Sequence, residues 1–233
     1  SERIEVVHAH NCEGLLVALG ARVRPIVYHA HNAMGDELPW YFSGAPWARR
    51  IGAWLDRTFP KCADHVIAPH RPLAEYLISR GCETDRVSVI PPMANVTEFA
   101  APAYHDAPAE VLYAGNLDAY QNLELLRSAI NAARNIEPDV RLLVATAAHD
   151  CHLLYAAKVL DVPDQAALRD VLALDVITVC PRVSWSGYPI KILNAMAAGR
   201  PVIACRSAPG PITDGVDGLI VPDDSPQALA EAI

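Results

Sequence analysis

Four histidines stand in two matched pairs, His8-Ala9-His10 and His29-Ala30-His31. Each pair ends an apolar run, residues 4–10 and 25–31, that reads as a buried strand. Residues two apart on a strand share a face. Each pair can therefore offer two imidazole ligands, and zinc is a metal that such donors suit. No carboxylate or cysteine completes either set. His149-Asp150-Cys151-His152 is a further cluster, read either as metal ligands or as the polar residues of a loop. A different chemistry is written at Lys191. It follows the small-residue loop 184–187 and stands in the first turn of a helix predicted over 189–198, where Ile190, Leu193, Met196 and Ala197 recur at helical spacing. A loop feeding a helix N-terminus beside buried strands is a ready anion site, because free N–H groups and the helix dipole both favour phosphate. The dipole mildly disfavours a cation there. Two readings stay open: an exposed lysine on an ordinary helix, or a cation paired with a bound anion.

The elements that must position these residues alternate. Strands are predicted at 4–10, 25–31, 65–68, 87–90, 110–114, 140–145, 176–180, 201–204 and 218–221. Helices are predicted at 14–19, 45–58, 72–79, 121–135, near 165–173, at 189–198, and from Ser225 onward. This alternation argues for parallel sheets covered by helices on both faces. Residues 96–109 are rich in Ala, Pro and polar side chains and read as a hinge, giving domains at 1–97 and 98–233.

Composition narrows the class. The 233 residues are 52% hydrophobic and 20% charged, as in a globular α/β protein with an ample core. The net charge of −8 falls on residues 98–233, and no basic patch suggests a nucleic-acid partner. Six scattered cysteines without a CxxC favour reduced thiols and a cytoplasmic protein. No apolar run reaches membrane-spanning length, and no signal peptide is visible. The stretch 38–61 mixes Trp40, Tyr41, Phe42, Trp47 and Trp54 with Arg49, Arg50, Arg57 and Lys61. Trp47, Ile51, Trp54 and Leu55 share one helical face. That face reads either as core or as a peripheral contact with an anionic inner-membrane face or a lipid-linked acceptor.

The stretch 181–221 resembles the donor-binding motif of the glycosyl transferases group 1 family, which are retaining nucleotide-sugar enzymes. Ser186-Gly187-Tyr188-Pro189 and Asn194-Ala195-Met196-Ala197-Ala198-Gly199-Arg200-Pro201-Val202 stand in the motif's places. The family's two acidic positions are here Ser186 and Asn194, a variant branch. The resemblance covers nearly the whole chain. It implies the GT-B fold, two Rossmann-like domains facing a cleft. It also implies that the first domain is partial, since such enzymes carry further βα units before residue 4 and a helix beyond residue 233.

The resemblance also implies roles. His31 takes the strand-end histidine position near the transferred sugar and is the first catalytic candidate, with Asn32 beside it and His10 on the neighbouring strand as acceptor-side candidates. Gly115, Asn116 and Gln121 take the positions of a loop that supplies two cations to the donor diphosphate, and here both charges are absent. Arg182 and Lys191 can compensate, Arg by bidentate contacts and Lys as a point charge. Ser186, Gly187, Tyr188, Pro189, Ile190 and Asn194 complete the donor set, with Asn194 at the ribose position and Lys191 as the second catalytic candidate. The expected activity is transfer of a sugar from a nucleotide-diphosphate sugar to a saccharide or lipid-linked acceptor, such as a cell-envelope glycan, with retention and with neither metal nor cofactor. Two alternatives stay open. One is a non-catalytic binding module, motivated by the missing acids and cations. The other is a sugar-nucleotide epimerase or hydrolase, which would turn over donor without acceptor.

Overall fold

The computed structural model describes residues 4–99, 110–148, 157–208 and 210–233. The hinge prediction lies mostly outside the described residues, and the 149–152 cluster and Cys151 lie wholly outside them. The chain forms two compact units. One comprises Ser1–Pro92 with Ser184–Tyr188, and the other Met93–Val183 with Pro189–Ile233.

The first unit holds strands β1 (Val7–His10), β2 (Ile26–His29), β3 (His65–Ala68) and β4 (Val87–Val89), all parallel and ordered β1-β2-β3-β4. Helices α1 (Asn11–Gly20), α2 (Met34–Tyr41), α3 (Pro46–Thr58) and α4 (Arg71–Ser79) connect them. The parallel register sets Ala9 beside Tyr28 and His10 beside His29. Alternation then sends Ala9, Ile26, Tyr28, Val66 and Ala68 into a core closed by Leu15, Leu73 and Leu77. The histidines of β1 and β2 take the opposite face.

The α2–α3 pair rests on one glycine. A Cβ on Gly52 would lie 2.2 Å from the Met34 carbonyl oxygen, so only glycine allows this approach. The closeness lets the buried Asp56 carboxylate accept from the Met34 and Gly35 N–H groups at the start of α2 (2.9 and 2.8 Å) and from Tyr76 OH (2.9 Å). Consequently the small-residue face of α3, Ala48 and Gly52, turns inward. Trp47, Ile51 and Trp54 are 48%, 44% and 51% exposed, so the core reading of that face does not hold.

The second unit is a six-stranded parallel sheet. Its strands are β5 (Glu110–Ala114), β6 (Arg141–Thr146), β7 (Ala157–Asp161), β8 (Val176–Cys180), β9 (Val202–Cys205) and β10 (Leu219–Val221), ordered β10-β9-β8-β5-β6-β7. Its helices are α5 (Leu123–Ala133), α6 (Gln165–Leu172), α7 (Ile190–Ala197) and α8 (Pro226–Ala232). Both faces are buried, as all-parallel sheets require. Val111, Tyr113 and Val144 face the core beneath α5 and α8. Leu112, Ala114 and Leu143 face the one that takes in Ile192 and Ala195 of α7 and Leu172 of α6. Asp164 and Ser225 cap α6 and α8 by accepting from Ala167 N and Ala228 N. The sequence order reverses between β5 and β8, which makes their carboxyl ends the topological switch point.

Candidate functional site

A cavity of about 370 Å³ opens in the second unit where β5 and β6 end and α7 begins. Gly115, Asn116, Thr146, Ile190, Lys191 and Asn194 contribute to its wall. Five of these six are residues the sequence singled out, drawn from two stretches about 75 positions apart.

Lys191 is the centre of the polar wall. Its Nζ donates to Gln121 Oε1 (2.8 Å) and Tyr113 OH (3.2 Å), and lies 4.3 Å from the centre of the Tyr113 ring. Gln121 Nε2 in turn donates to Asn116 Oδ1 (2.7 Å). Asn116 Nδ2 donates to Asp118 Oδ2 (2.6 Å) and Tyr120 OH (3.0 Å), and Tyr113 OH donates to the Asn116 carbonyl. Asn116 and Gln121, the positions where the resemblance expects cations, are thus the neutral arms of a network that holds the Lys191 ammonium. Burial, and then the Arg182 guanidinium, lower the Lys191 pKa to about 8. Gly115 makes room for this head: its φ is +143°, and a Cβ there would lie 2.7 Å from Lys191 Nζ. Arg182 stacks over the Tyr120 ring at 4.7 Å. Pro189 precedes α7 as its N-cap residue, and the first N–H groups of any such helix lack intrahelical partners.

Ser186, Gly187 and Tyr188 belong to the other unit. Ser186 is fully buried. Its N–H and Oγ both donate to Asp36 Oδ2 (3.1 and 2.8 Å), which also accepts from Ser184 Oγ (2.8 Å). His70 Nδ1 accepts from Leu73 N–H, so its Nε2 carries the proton donated to the Ser186 carbonyl (2.9 Å). Trp185 packs edge-on against Tyr76. The loop is therefore clamped by Asp36 and His70, which the sequence reading did not single out. Asp36 is itself placed by α2, whose start Asp56 holds.

The histidine pairs also meet in this unit. His31 Nε2 lies 3.0 Å from His10 Nδ1, and Asn32 follows half-buried. Burial, then the neighbouring imidazoles, lower the pKa values of His29 and His31. Burial likewise raises the thiols of Cys12 and Cys82 to about 11 and that of Cys205 to about 12, which makes them inert.

With this geometry in view, comparison with known proteins decides the family. The model of "Glycosyl transferases group 1" matches residues 108–233, and that of "Glycosyl transferase 4-like domain" matches residues 1–93. The chain belongs to the glycosyl transferases group 1 family. Sucrose-phosphate synthase of Thermosynechococcus elongatus shares its fold, with a TM-score of 0.77 at 20% identity over 97% of this chain and 63% of that one. Anabaena HepE in complex with UDP-glucose matches with a TM-score of 0.73 at 20% identity, over 97% of this chain and 67% of its own. An exopolysaccharide phosphotransferase of Streptomyces coelicolor is 40% identical over 60 residues, 24% of this chain and 6% of the relative. This chain thus spans about two thirds of the synthase and a small part of the phosphotransferase. Both units have the parallel α/β architecture of GT-B glycosyltransferases, as the resemblance implied.

Proposed function

We propose that the second unit binds the diphosphate of a nucleotide sugar and that the protein transfers the sugar, a hexose, to a saccharide or lipid-linked acceptor with retention. One observation carries this reading. Gly115, Asn116, Ile190, Lys191 and Asn194 wall a single cavity at the carboxyl ends of β5 and β6, with Lys191 in the first turn of α7. A diphosphate there accepts from the leading N–H groups of α7 and from Lys191, with Arg182 as the second cation of the loop. As the sugar–oxygen bond breaks, negative charge grows on the leaving phosphate, and these preorganised donors stabilise it. Asn194 hydrogen-bonds ribose hydroxyls. HepE, of the same fold, is described in complex with UDP-glucose, which favours a uridine donor among the candidates. His31 acts as a catalytic residue at the transferred sugar, and His10 and Asn32 serve the acceptor side. The reaction as proposed draws on no metal and no cofactor.

The side chains exposed on α3 support a lipid-linked acceptor. Its exposed Trp47, Ile51 and Trp54, with Tyr41 and Phe42 nearby and Arg49, Arg50 and Arg57 on the same helix, suit the interface of an anionic bilayer. No described helix is long and apolar enough to cross a membrane. Co-sedimentation with phosphatidylglycerol vesicles, lost in Trp47→Ser/Trp54→Ser, supports peripheral contact. Retention in the supernatant at low salt refutes it.

The donor reading is tested by thermal stability against UDP, GDP, ADP and CDP. A ligand at 100 times its Kd adds about 2.7 kcal/mol. One diphosphate should raise the melting temperature of the wild type and act much less on Lys191→Met. If none does, the family architecture here carries no donor site, and the non-catalytic reading replaces this one.

A further inference from the structure

The two histidine pairs, separate in sequence, form one cluster. The parallel register places His10 directly beside His29, with His8 two residues back on the same face of β1. The rings lie close together: His8–His10 at 4.4 Å between centroids, His10–His29 at 5.2 Å and His29–His31 at 4.6 Å, all tilted, and His8–His29 at 5.6 Å, stacked. One ligand nitrogen from each of His8, His10 and His29 lies within 4.8 Å of the others. His29 Nδ1 is buried and has no hydrogen-bond partner, a costly state for a polar atom that nothing satisfies.

We propose that His8, His10 and His29 bind a divalent first-row transition metal, zinc above all, with His31 or water in the fourth position. Taken pair by pair, the sequence leaves each HxH two ligands short. The sheet register supplies a third ligand, leaving one position for His31 or water. Tetrahedral zinc with bonds of 2.0–2.1 Å sets its nitrogens roughly 3.3 Å apart. The imidazoles must therefore close by about 1.5 Å from the observed limit, which χ rotations of the exposed His8 and His10 accomplish. All donors are imidazole, which selects zinc, copper or nickel over magnesium and calcium. Binding exchanges metal-bound water for imidazole nitrogens and involves no redox step. It is independent of the donor site. It engages His10, and with it His31 through their 3.0 Å contact, so the role proposed above for those two rings belongs to the metal-free form.

The test uses the full chain, untagged and stripped with EDTA, titrated with Zn²⁺ against a chromophoric chelator and separately with Co²⁺. The expected result is one equivalent of zinc, an intense visible spectrum for tetrahedral cobalt, and no response to Mg²⁺. His8→Ala and His29→Ala should each weaken zinc at least about 10-fold. The far-UV spectrum and melting temperature in EDTA show that both variants are folded. His65→Ala, whose ring instead bonds Ser88 Oγ at 2.9 Å, should bind like the wild type. Absence of stoichiometric binding overturns the proposal. So does zinc binding that survives both ligand substitutions.

Discussion

On the proposed donor reading, the half-buried ammonium of Lys191 should make nucleotide affinity depend on pH. Its pKa is lowered to about 8, chiefly by burial, from an ordinary value of 10.5. Below pH 8 the folded protein carries the charge at a cost of about 3 kcal/mol relative to the unfolded chain. That cost is relieved as pH rises from 8 to 10.5, because there the unfolded chain binds the proton and the folded one does not. The residue therefore opposes folding at neutral pH, as expected of a group kept for a ligand. A bound diphosphate reverses the balance by holding the ammonium form. The competent fraction of the free protein is about 90% at pH 7 and about 10% at pH 9, so the apparent Kd should rise about 10-fold across that range. Calorimetry in buffers of different ionisation enthalpy should show uptake of nearly one proton at pH 9 and almost none at pH 7. Lys191→Met should bind weakly and without this slope. Its unliganded form should melt no lower than the wild type, since a desolvated charge has been removed. Wild-type affinity that stays flat from pH 7 to 9 would refute the assignment of Lys191 to the diphosphate.

Three substitutions probe the supporting structure. In Gly115→Val the side chain takes the space of Lys191 Nζ, and the backbone at φ +143° is strained. Diphosphate affinity should fall at least about 10-fold for a loss of about 1–2 kcal/mol in stability, read by titration and denaturant melts. Asp36→Ala strips the acceptor from Ser184 Oγ, Ser186 N–H and Ser186 Oγ; we expect a loss of about 2–4 kcal/mol and protease cutting at Ser184–Tyr188. Gly52→Val drives a branched side chain into the Met34–Gly35 backbone and should cost about 3 kcal/mol or more, measured by urea unfolding.

Strand positions were legible because buried parallel strands are short apolar runs between polar breaks; β5 and β8 fall on the residues read from sequence. Two elements were not. Helix α2 carries Pro39 in its interior, which argues against a helix on local grounds, and its anchor Asp56 is 22 residues downstream of its first residue. Strand β7 is a half-exposed edge strand, Ala157–Asp161, with no clean alternation. The periodicity of α3 named a tryptophan face but could not say which way it turns; Gly52 decides that through contact with α2. The cavity residues were visible as a loop and a helix start. Tyr113, on which Lys191 rests, reads in sequence as one more apolar strand residue. The partners of Ser186 lie 150 and 116 positions away, beyond any local pattern. The histidine pairs were visible at once, but only the register of β1 and β2 joins them.

The central claim is that a nucleotide diphosphate sits where β5 ends and α7 begins. The most direct measurement is a crystal structure of the protein with the diphosphate selected by the stability panel. Phosphate oxygens should lie within hydrogen-bonding distance of Lys191 Nζ and of the first N–H groups of α7, with the ribose at Asn194. A nucleotide ordered elsewhere on the chain, with the cavity at Gly115 and Lys191 holding only solvent, would contradict it.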